Sequence, residues 1–495
     1  MVWEFFTWAD MTTSRVEQIV NPVGLHHTYT DVSGMDHQIF LEPDYFATAI
    51  KKGISGNYVS TFPQYSAGWI PAGICWNPRF SSMRIEVFDL KMNMEYQAAR
   101  DYLLSCIDRP ESTEAVSLLY AAGRVLAENV FAACDVPPFD RSPYDGYAFR
   151  AKDTVGVSKG HPAVLRIKEE VPAGSMWTTE VTAGTATKIL TGAPVPAGAT
   201  AIIKYEETTF TEESVTVFRE FHDGENIVPR GEDVQTGQLL AENGTEISSA
   251  LLGTLAAQHI TEPKIYPVPK VGIITTGSEL AEPDEKLTGG KIVNTNRYTF
   301  LGALQRAGCQ SITLPAPGDD PEEIASAIRE AAQQCDLVIT TGGVSVGDYD
   351  FTPAAMERAG AEILIRTLFL KPGGASAYGI MNGKLICGLS GNPASALINF
   401  YAVVLPVLRK LRGLKQPLLT EIPVVLAEDF RKKSPKTRLI RGVLDLSDGT
   451  ARMHVSKGQG NGVLHSLIGC DLLAEIPAGS PALSAGTKLQ AYLIP

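Results

Sequence analysis

Between residues 266 and 412 short apolar runs alternate with amphipathic stretches, and few folds satisfy that alternation. Residues 271–275, 311–314, 337–340, 363–370 and 384–387 are strand-length runs rich in Val, Ile, Leu and Thr. Between them lie segments of helical period. Residues 296–307 set Phe300, Leu301, Leu304 and Ala307 on one face, with Gly308 as the C-cap. Asp320 caps a helix beginning at Pro321, with Glu322 and Glu323 in its first turn and Ile324, Ile328 and Ala331 facing inward. Further helices run from Thr352-Pro353 to Gly360, and from Asn392-Pro393 to about Leu411. Strands joined by helices predict a doubly wound, mainly parallel sheet covered on both faces. Ligands of such sheets sit beyond the carboxyl ends of the strands. Four glycine turns follow strand ends (Thr276-Gly277, Gly342-Gly343, Gly373-Gly374, Ser390-Gly391) and are expected to line one crevice.

The richest of these ends is Asp336-Leu-Val-Ile-Thr-Thr-Gly-Gly-Val-Ser-Val-Gly-Asp-Tyr-Asp350. Gly342 and Gly343 allow positive φ and a close approach to bare backbone. Thr340, Thr341 and Ser345 add hydroxyls, and Asp348 and Asp350 add carboxylates. Such a set suits an oxyanion held by backbone and hydroxyl donors beside a cation held by acids. It equally suits a βα turn whose acids cap the next helix, and the fragment alone leaves both readings open.

The flanks read differently. Residues 413–495 have short alternating segments separated by Gly, Pro and Asp, which predicts a small all-β domain. Its basic group, Arg431-Lys-Lys433 with Lys436, Arg438 and Arg441, is read as a solvated face, with a phosphate contact as the alternative. Upstream, 96–107 and 112–130 are expected to be helical, the second on the spacing of Leu118, Leu119, Val125 and Leu126. The Pro-rich stretch 135–149 fits neither helix nor strand; aromatic residues around Asp145 suit a pocket wall or a surface loop. Residues 160–220 alternate as a small β domain, and 248–259 form a helix capped by Ser248 or Ser249. The organisation is therefore an unassigned extension over 1–82, a split helical domain (92–134 and 225–265), an inserted β-rich domain (135–224), the α/β domain (266–412) and a C-terminal β domain (413–495). The extension holds four of the five tryptophans and fits a partner-binding arm, an extra domain, a disordered leader or sequence upstream of the true start.

Composition narrows the function. A chain of 495 residues is too long for one core. A net charge of −12 argues against nucleic-acid partners and leaves any anionic ligand dependent on local donors. Seven dispersed cysteines without a CxxC pair form neither a zinc signature nor a disulfide framework, which points to a reducing cytoplasm. No signal-peptide pattern or membrane-length apolar run is expected.

From about residue 92 onward the motifs add up. The matching stretches are Pro138-Phe-Asp-Arg-Ser-Pro-Tyr-Asp-Gly-Tyr-Ala148, Thr191-Gly-Ala-Pro194, Arg230-Gly-Glu-Asp233, Thr276-Gly-Ser-Glu-Leu280, Asn294-Thr-Asn-Arg297, Asp319-Asp-Pro321, Thr341-Gly-Gly-Val-Ser-Val-Gly347 with Asp350, Lys371-Pro-Gly373 and Gly391-Asn-Pro393. Their order resembles that of the molybdopterin molybdenumtransferases, the MoeA family that includes the E domain of gephyrin. The resemblance implies an elongated homodimer in which 266–412 binds molybdopterin. It implies insertion of molybdate into adenylylated molybdopterin with release of AMP, in a Mg2+-dependent step, and contacts with molybdopterin-pathway enzymes and recipient molybdoenzymes. By the same resemblance the catalytic set is Asp145, Asp233, Glu279, Asp350 and Lys371. The cofactor-binding set is Thr191, Thr276, Gly277, Asn296, Gly342, Gly343, Ser345, Pro372, Gly373, Ser390, Gly391, Asn392 and Pro393. The metal set is Glu279, Asp319, Asp320, Asp348 and Asp350, with helix capping as the competing role for Glu279, Asp319 and Asp320. Asp145, Thr191 and Asp233 are expected to close the site from other domains.

The chain departs from the family at Ser390, where Pro is usual, at Gly374-Ala375 after Lys-Pro-Gly, and at Ser278 and Thr200, where an acid is common. A serine leaves φ free where proline fixes it, so the turn before the last helix is expected to loosen. The metal selected, tungstate or molybdate, stays open on these grounds. Two further readings are a carrier or scaffold that binds molybdopterin without turnover, and a molybdopterin adenylyltransferase. The added domains favour the insertion step.

Overall fold

The computed structural model describes residues 93–344 and 351–495, together with the backbone of Met92 and of short strands within residues 16–39, 74–75 and 86–87. Most of the 1–82 extension thus lies outside the described residues. The chain divides into two compact units, Met1–Arg109 with Val268–Arg412 and Pro417–Pro495, and Pro110–Pro267 with Gly413–Gln416.

The first unit is built on a seven-stranded sheet. Its order is Gln310–Thr313, Lys270–Thr275, Leu337–Thr341, Lys384–Leu389, Ser376–Met381, Glu362–Leu368 and Met92–Met94. Only Ser376–Met381 runs against the others. The doubly wound, mainly parallel sheet expected from the alternation is present. Helices Thr295–Arg306 and Tyr96–Cys106 and the segment 393–411 cover one face around Phe300, Leu304, Phe400 and Leu408. Pro321–Gln334 and Thr352–Ala359 cover the other through Ile324, Ile328 and Met356. Each such side chain, fully buried, contributes roughly 1.5–3 kcal/mol. The segment 393–411 is α-helical at Pro393–Asn399 and Leu405–Leu411 with a π turn between them at Phe400–Val404. Among the described residues it alone has the length and apolarity to cross a membrane, and it is mostly buried in this core.

Residues 417–495 complete the first unit with a β barrel. Thr437–Asp445, Arg452–Val455, Glu421–Leu426, Lys488–Leu493 and Leu472–Ile476 pair in a ring that closes back onto Thr437–Asp445. Leu370–Lys371 leaves the α/β sheet and adds to it in parallel. A polar cluster joins the two layers: the Glu475 carboxylate accepts from Tyr96 Oη, from Gln97 Nε2 at 2.9 Å and from Tyr492 Oη at 3.2 Å. The basic group is not one solvated face. Arg431, Lys432 and Lys433 are exposed, but Arg438 and Arg441 are buried within a paired strand. Arg441 Nη2 donates to the carbonyls of Gly458 and Gly460, each at 2.7 Å.

The second unit carries a six-stranded sheet in the order Ala201–Lys204, Gly146–Phe149, Thr185–Ile189, Ala163–Val171, Ser214–Val217 and Thr209–Phe210. Residues 146–149, part of the stretch expected to be neither helix nor strand, are a buried strand. Helix Ser249–Ala257 forms as expected, with Ser248 Oγ accepting from Leu251 N at 3.2 Å. The helix expected over 112–130 does not form. Leu118–Tyr120 is a single 3-10 turn and Gly123 sits at φ +73°. Val125 and Leu126, adjacent and both buried, bridge Glu246 and Ile265 in extended backbone, while Leu119 is 84 % exposed. Adjacent buried side chains pointing opposite ways are a strand property, so tertiary pairing overrides the helical spacing.

Candidate active site

At the carboxyl ends of the parallel strands the first unit encloses a cavity of about 530 Å³. Three strand ends supply its floor. After Lys270–Thr275 the chain turns through Thr276-Gly277, where Thr276 N–H and Oγ1 both donate to Thr341 O, at 2.9 and 3.2 Å. After Leu337–Thr341 it turns through Gly342 and Gly343, at φ +105° and +58°. A β-carbon on Gly342 would lie 2.5 Å from Thr276 Oγ1, so the close approach needs glycine. After Lys384–Leu389 come Gly391 and Pro393, the latter starting the buried helix.

One wall is the segment 276–296, tied into shape by its own polar groups. Ser278 N–H donates to Asp319 Oδ2 at 3.1 Å, and Lys291 Nζ donates to Ser278 O at 2.7 Å. Leu280–Ala281 pairs with Ile292–Val293. Asn294 caps the following helix by accepting from Arg297 N, and its Nδ2 donates to Thr275 Oγ1 at 2.8 Å. Asn296 Nδ2 donates to Gly391 O at 3.0 Å, clasping this wall to the third strand end. The lining carries two carboxylates, Glu279 and Asp319, many hydroxyl and amide groups, and no lysine or arginine among the described residues.

Of the residues singled out in the sequence, Thr276, Gly277, Glu279, Asn296, Asp319, Gly342, Gly343, Gly391 and Pro393 meet in this cavity. Gly342 N–H is committed to Leu389 O at 3.0 Å, whereas the N–H groups of Gly277, Gly343 and Gly391 have no acceptor among the described residues. Asp320 stands just outside: its Oδ1 accepts from Glu322 N and Glu323 N at 2.7 and 3.1 Å, the capping role weighed against a metal. Ser390 and Asn392 do not line the cavity but shape its turn, Ser390 Oγ accepting from Asn392 N at 3.2 Å. That bond holds the turn that a proline would otherwise fix. Lys371, Pro372 and Gly373 also lie off the lining. Lys371 is exposed and its backbone pairs with Arg438 in the barrel, while Gly373 O accepts from the buried Asn399 Nδ2 at 2.7 Å. Ser345, Asp348 and Asp350 fall outside the described residues.

In the second unit, Asp145 Oδ1 accepts from Thr191 N at 2.7 Å and from Thr191 Oγ1 at 2.8 Å. These two bonds, the backbone one foremost, hold its carboxyl below the usual range. In the same unit, Asp135 is pulled down to about 2 by the Thr236 N–H and hydroxyl and then by Arg230. Asp233 is exposed, its N–H bonded to Val136 O at 2.9 Å.

Ser278, Asn294 and Thr295 line the cavity without having been singled out as binding residues. For Asn294 a signal existed: an asparagine immediately before a helical run is a strong N-cap.

Comparison with known proteins agrees with this arrangement. Residues 94–258 match the MoeA N-terminal region (domain I and II), 272–410 a probable molybdopterin binding domain, and 423–494 the MoeA C-terminal region (domain IV). A molybdopterin molybdenumtransferase of Staphylococcus epidermidis is 32 % identical over 378 residues, 76 % of this chain and 90 % of that protein. The Staphylococcus aureus (strain COL) enzyme of the same name is 33 % identical over 378 residues with the same shares. The crystal structure of a molybdopterin biosynthesis MoeA protein from Pyrococcus horikoshii OT3 superposes with a TM-score of 0.70 at 33 % identity, covering 81 % of this chain and 100 % of that one.

Proposed function

Because the chain belongs to the MoeA family and is a molybdopterin molybdenumtransferase of molybdenum cofactor biosynthesis, we propose that the cavity takes adenylylated molybdopterin and molybdate and releases AMP. The observation that carries this reading is the cavity's donor set: hydroxyls, amides and unpartnered glycine N–H groups beside two carboxylates, with no basic side chain on the lining among the described residues. A phosphate-bearing ligand there requires a cation to offset its charge and that of the acids.

Magnesium fits those groups. It favours oxygen ligands, keeps several waters and takes one or two carboxylates plus substrate phosphates. Glu279 and Asp319, the two carboxylates of the lining, would hold it. When bound, it neutralises phosphate oxygens and the charge that develops on the leaving phosphate. The protein's own part is positioning. The Thr276 and Gly342 turns set the depth of the floor. Asn296 clasps the wall to Gly391. Ser278, gripped by Asp319 and Lys291, fixes where Glu279 begins. Molybdate is a substrate, placed against the dithiolene as AMP leaves. In this reading the chain works in the cytoplasm as a homodimer and hands its product to recipient molybdoenzymes.

The test is AMP release from adenylylated molybdopterin, with and without molybdate, across a Mg2+ titration. Molybdate-stimulated release is expected in the wild type. Asp319→Asn and Glu279→Gln should raise the Mg2+ needed for half-maximal rate by about tenfold or more, as loss of a charged ligand implies. Tight binding without release would move the chain to the carrier class. Formation of adenylylated molybdopterin from ATP would move it to the adenylyltransferases.

A further inference from the structure

The acid-lined cavity raises a question that its lining does not answer: which protein cation meets an anionic ligand there. Arg297 lies near the wall, but its Nη1 is spent on Glu282 Oε1 at 2.5 Å. Lys371 does not line the cavity. Lys291 differs from both. It precedes the lining residue Ile292, and its ammonium rests on the carbonyl of the lining residue Ser278 at 2.7 Å. It is exposed, and no carboxylate lies within ion-pair distance of it among the described residues. A neutral carbonyl leaves its charge uncompensated and two of its three N–H groups unused.

We propose that Lys291 is an anion-binding residue of this cavity, whose ammonium leaves the Ser278 carbonyl to take a phosphate oxygen of the ligand. The proposal rests on the reading of the cavity as a phosphate-ligand site and adds the residue that reading lacks. A lysine suits the task because its flexible stem carries a compact charge between two acceptors, and a carbonyl releases it more readily than a carboxylate would. The resting contact also keeps the ammonium at the rim before the ligand arrives.

The test compares wild type, Lys291→Met and Lys291→Arg in full-length protein. Lys291→Met should raise KM for adenylylated molybdopterin about tenfold and leave kcat within about threefold, as expected for a binding contact made in both ground and transition states. Lys291→Arg should recover most of that loss. The dependence of KM on salt should flatten in Lys291→Met, because a screened charge pair has been removed. An unchanged KM overturns the proposal. So does a fall in kcat with an unaltered salt dependence, which would make Lys291 only a brace for Ser278. If the wild type does not consume adenylylated molybdopterin, the functional reading fails separately. Calorimetric binding of inorganic pyrophosphate with Mg2+ then decides: weaker binding by Lys291→Met sustains the proposal, whereas equal affinity, or no binding by the wild type, overturns it.

Discussion

Gly342→Ala asks the floor of the cavity to do something its geometry forbids. The added β-carbon would lie 2.5 Å from Thr276 Oγ1 and 2.7 Å from Thr276 O. Thr276 cannot simply rotate away, because its N–H and hydroxyl are both bonded to Thr341 O. The backbone at φ +105° is also one that alanine resists. Strain of this kind costs about 1–3 kcal/mol, and forced overpacking costs about 1–3 kcal/mol more. The expected destabilisation of this strand end is therefore about 2–6 kcal/mol. Gly391→Ala is the internal control. Gly391 is outside the left-handed region, and its added β-carbon would meet only Gly342 Cα at 3.6 Å, an ordinary contact. Hydrogen exchange read by mass spectrometry separates the two without assuming that a two-unit protein unfolds in one step. Amides of Leu337–Thr341 should exchange at least about 30-fold faster in Gly342→Ala, since each 1.4 kcal/mol is about tenfold. They should change by less than about threefold in Gly391→Ala. Equal protection in the two variants would refute the close-approach argument.

Two other outcomes follow from buried or clamped groups. Asn399 is fully buried, bonding Tyr378 Oη and Gly373 O. Asn399→Ala leaves both partners unsatisfied and should destabilise the first unit by about 2–5 kcal/mol, read as a lower urea midpoint. Asp145 should titrate below the ordinary aspartate value of 3.8 by NMR, and Thr191→Val should return it toward that value. Because its folded pKa is depressed, the stability it contributes is complete above the unfolded pKa and is lost as pH falls through the folded one. An Asp145 titration midpoint at or above 3.8 in the wild type would contradict this assignment.

The α/β layer was legible because its parallel strands are buried on both faces and so appear as unbroken β-branched runs, with Asp320 and Gly308 marking helix ends. Ser376–Met381 escaped notice for the opposite reason. It has one β-branched residue, and Gly379 is there because a side chain would lie 2.8 Å from Glu362 O of the neighbouring strand. Residues 112–130 misled because an alternation of tertiary partners imitated a helical period. Glycines after strand ends located the cavity floor, since only a turn at that place explains them. The Lys371 turn carries the same local signature yet serves the barrel, and nothing local states that Leu370–Lys371 changes sheets. Ser278 gained its place through Asp319 and Lys291, which lie 41 and 13 residues away.

The pairing of Met92–Met94 with Glu362–Leu368 has a consequence for synthesis on the ribosome. Asn93 and Thr367, joined across that pair, are 274 residues apart. At roughly 5–20 residues per second the first of these strands waits about 14–55 s for its neighbour to be made. Helix Tyr96–Cys106 waits with it, presenting Tyr96, Ala99 and Leu103 before the surface that buries them exists. Meanwhile almost all of the second unit emerges as one unbroken stretch. The earliest-made described parts of the α/β layer are thus among the last to find their place, and for most of translation the apolar face of this amphipathic helix lacks the partners that bury it in the folded protein.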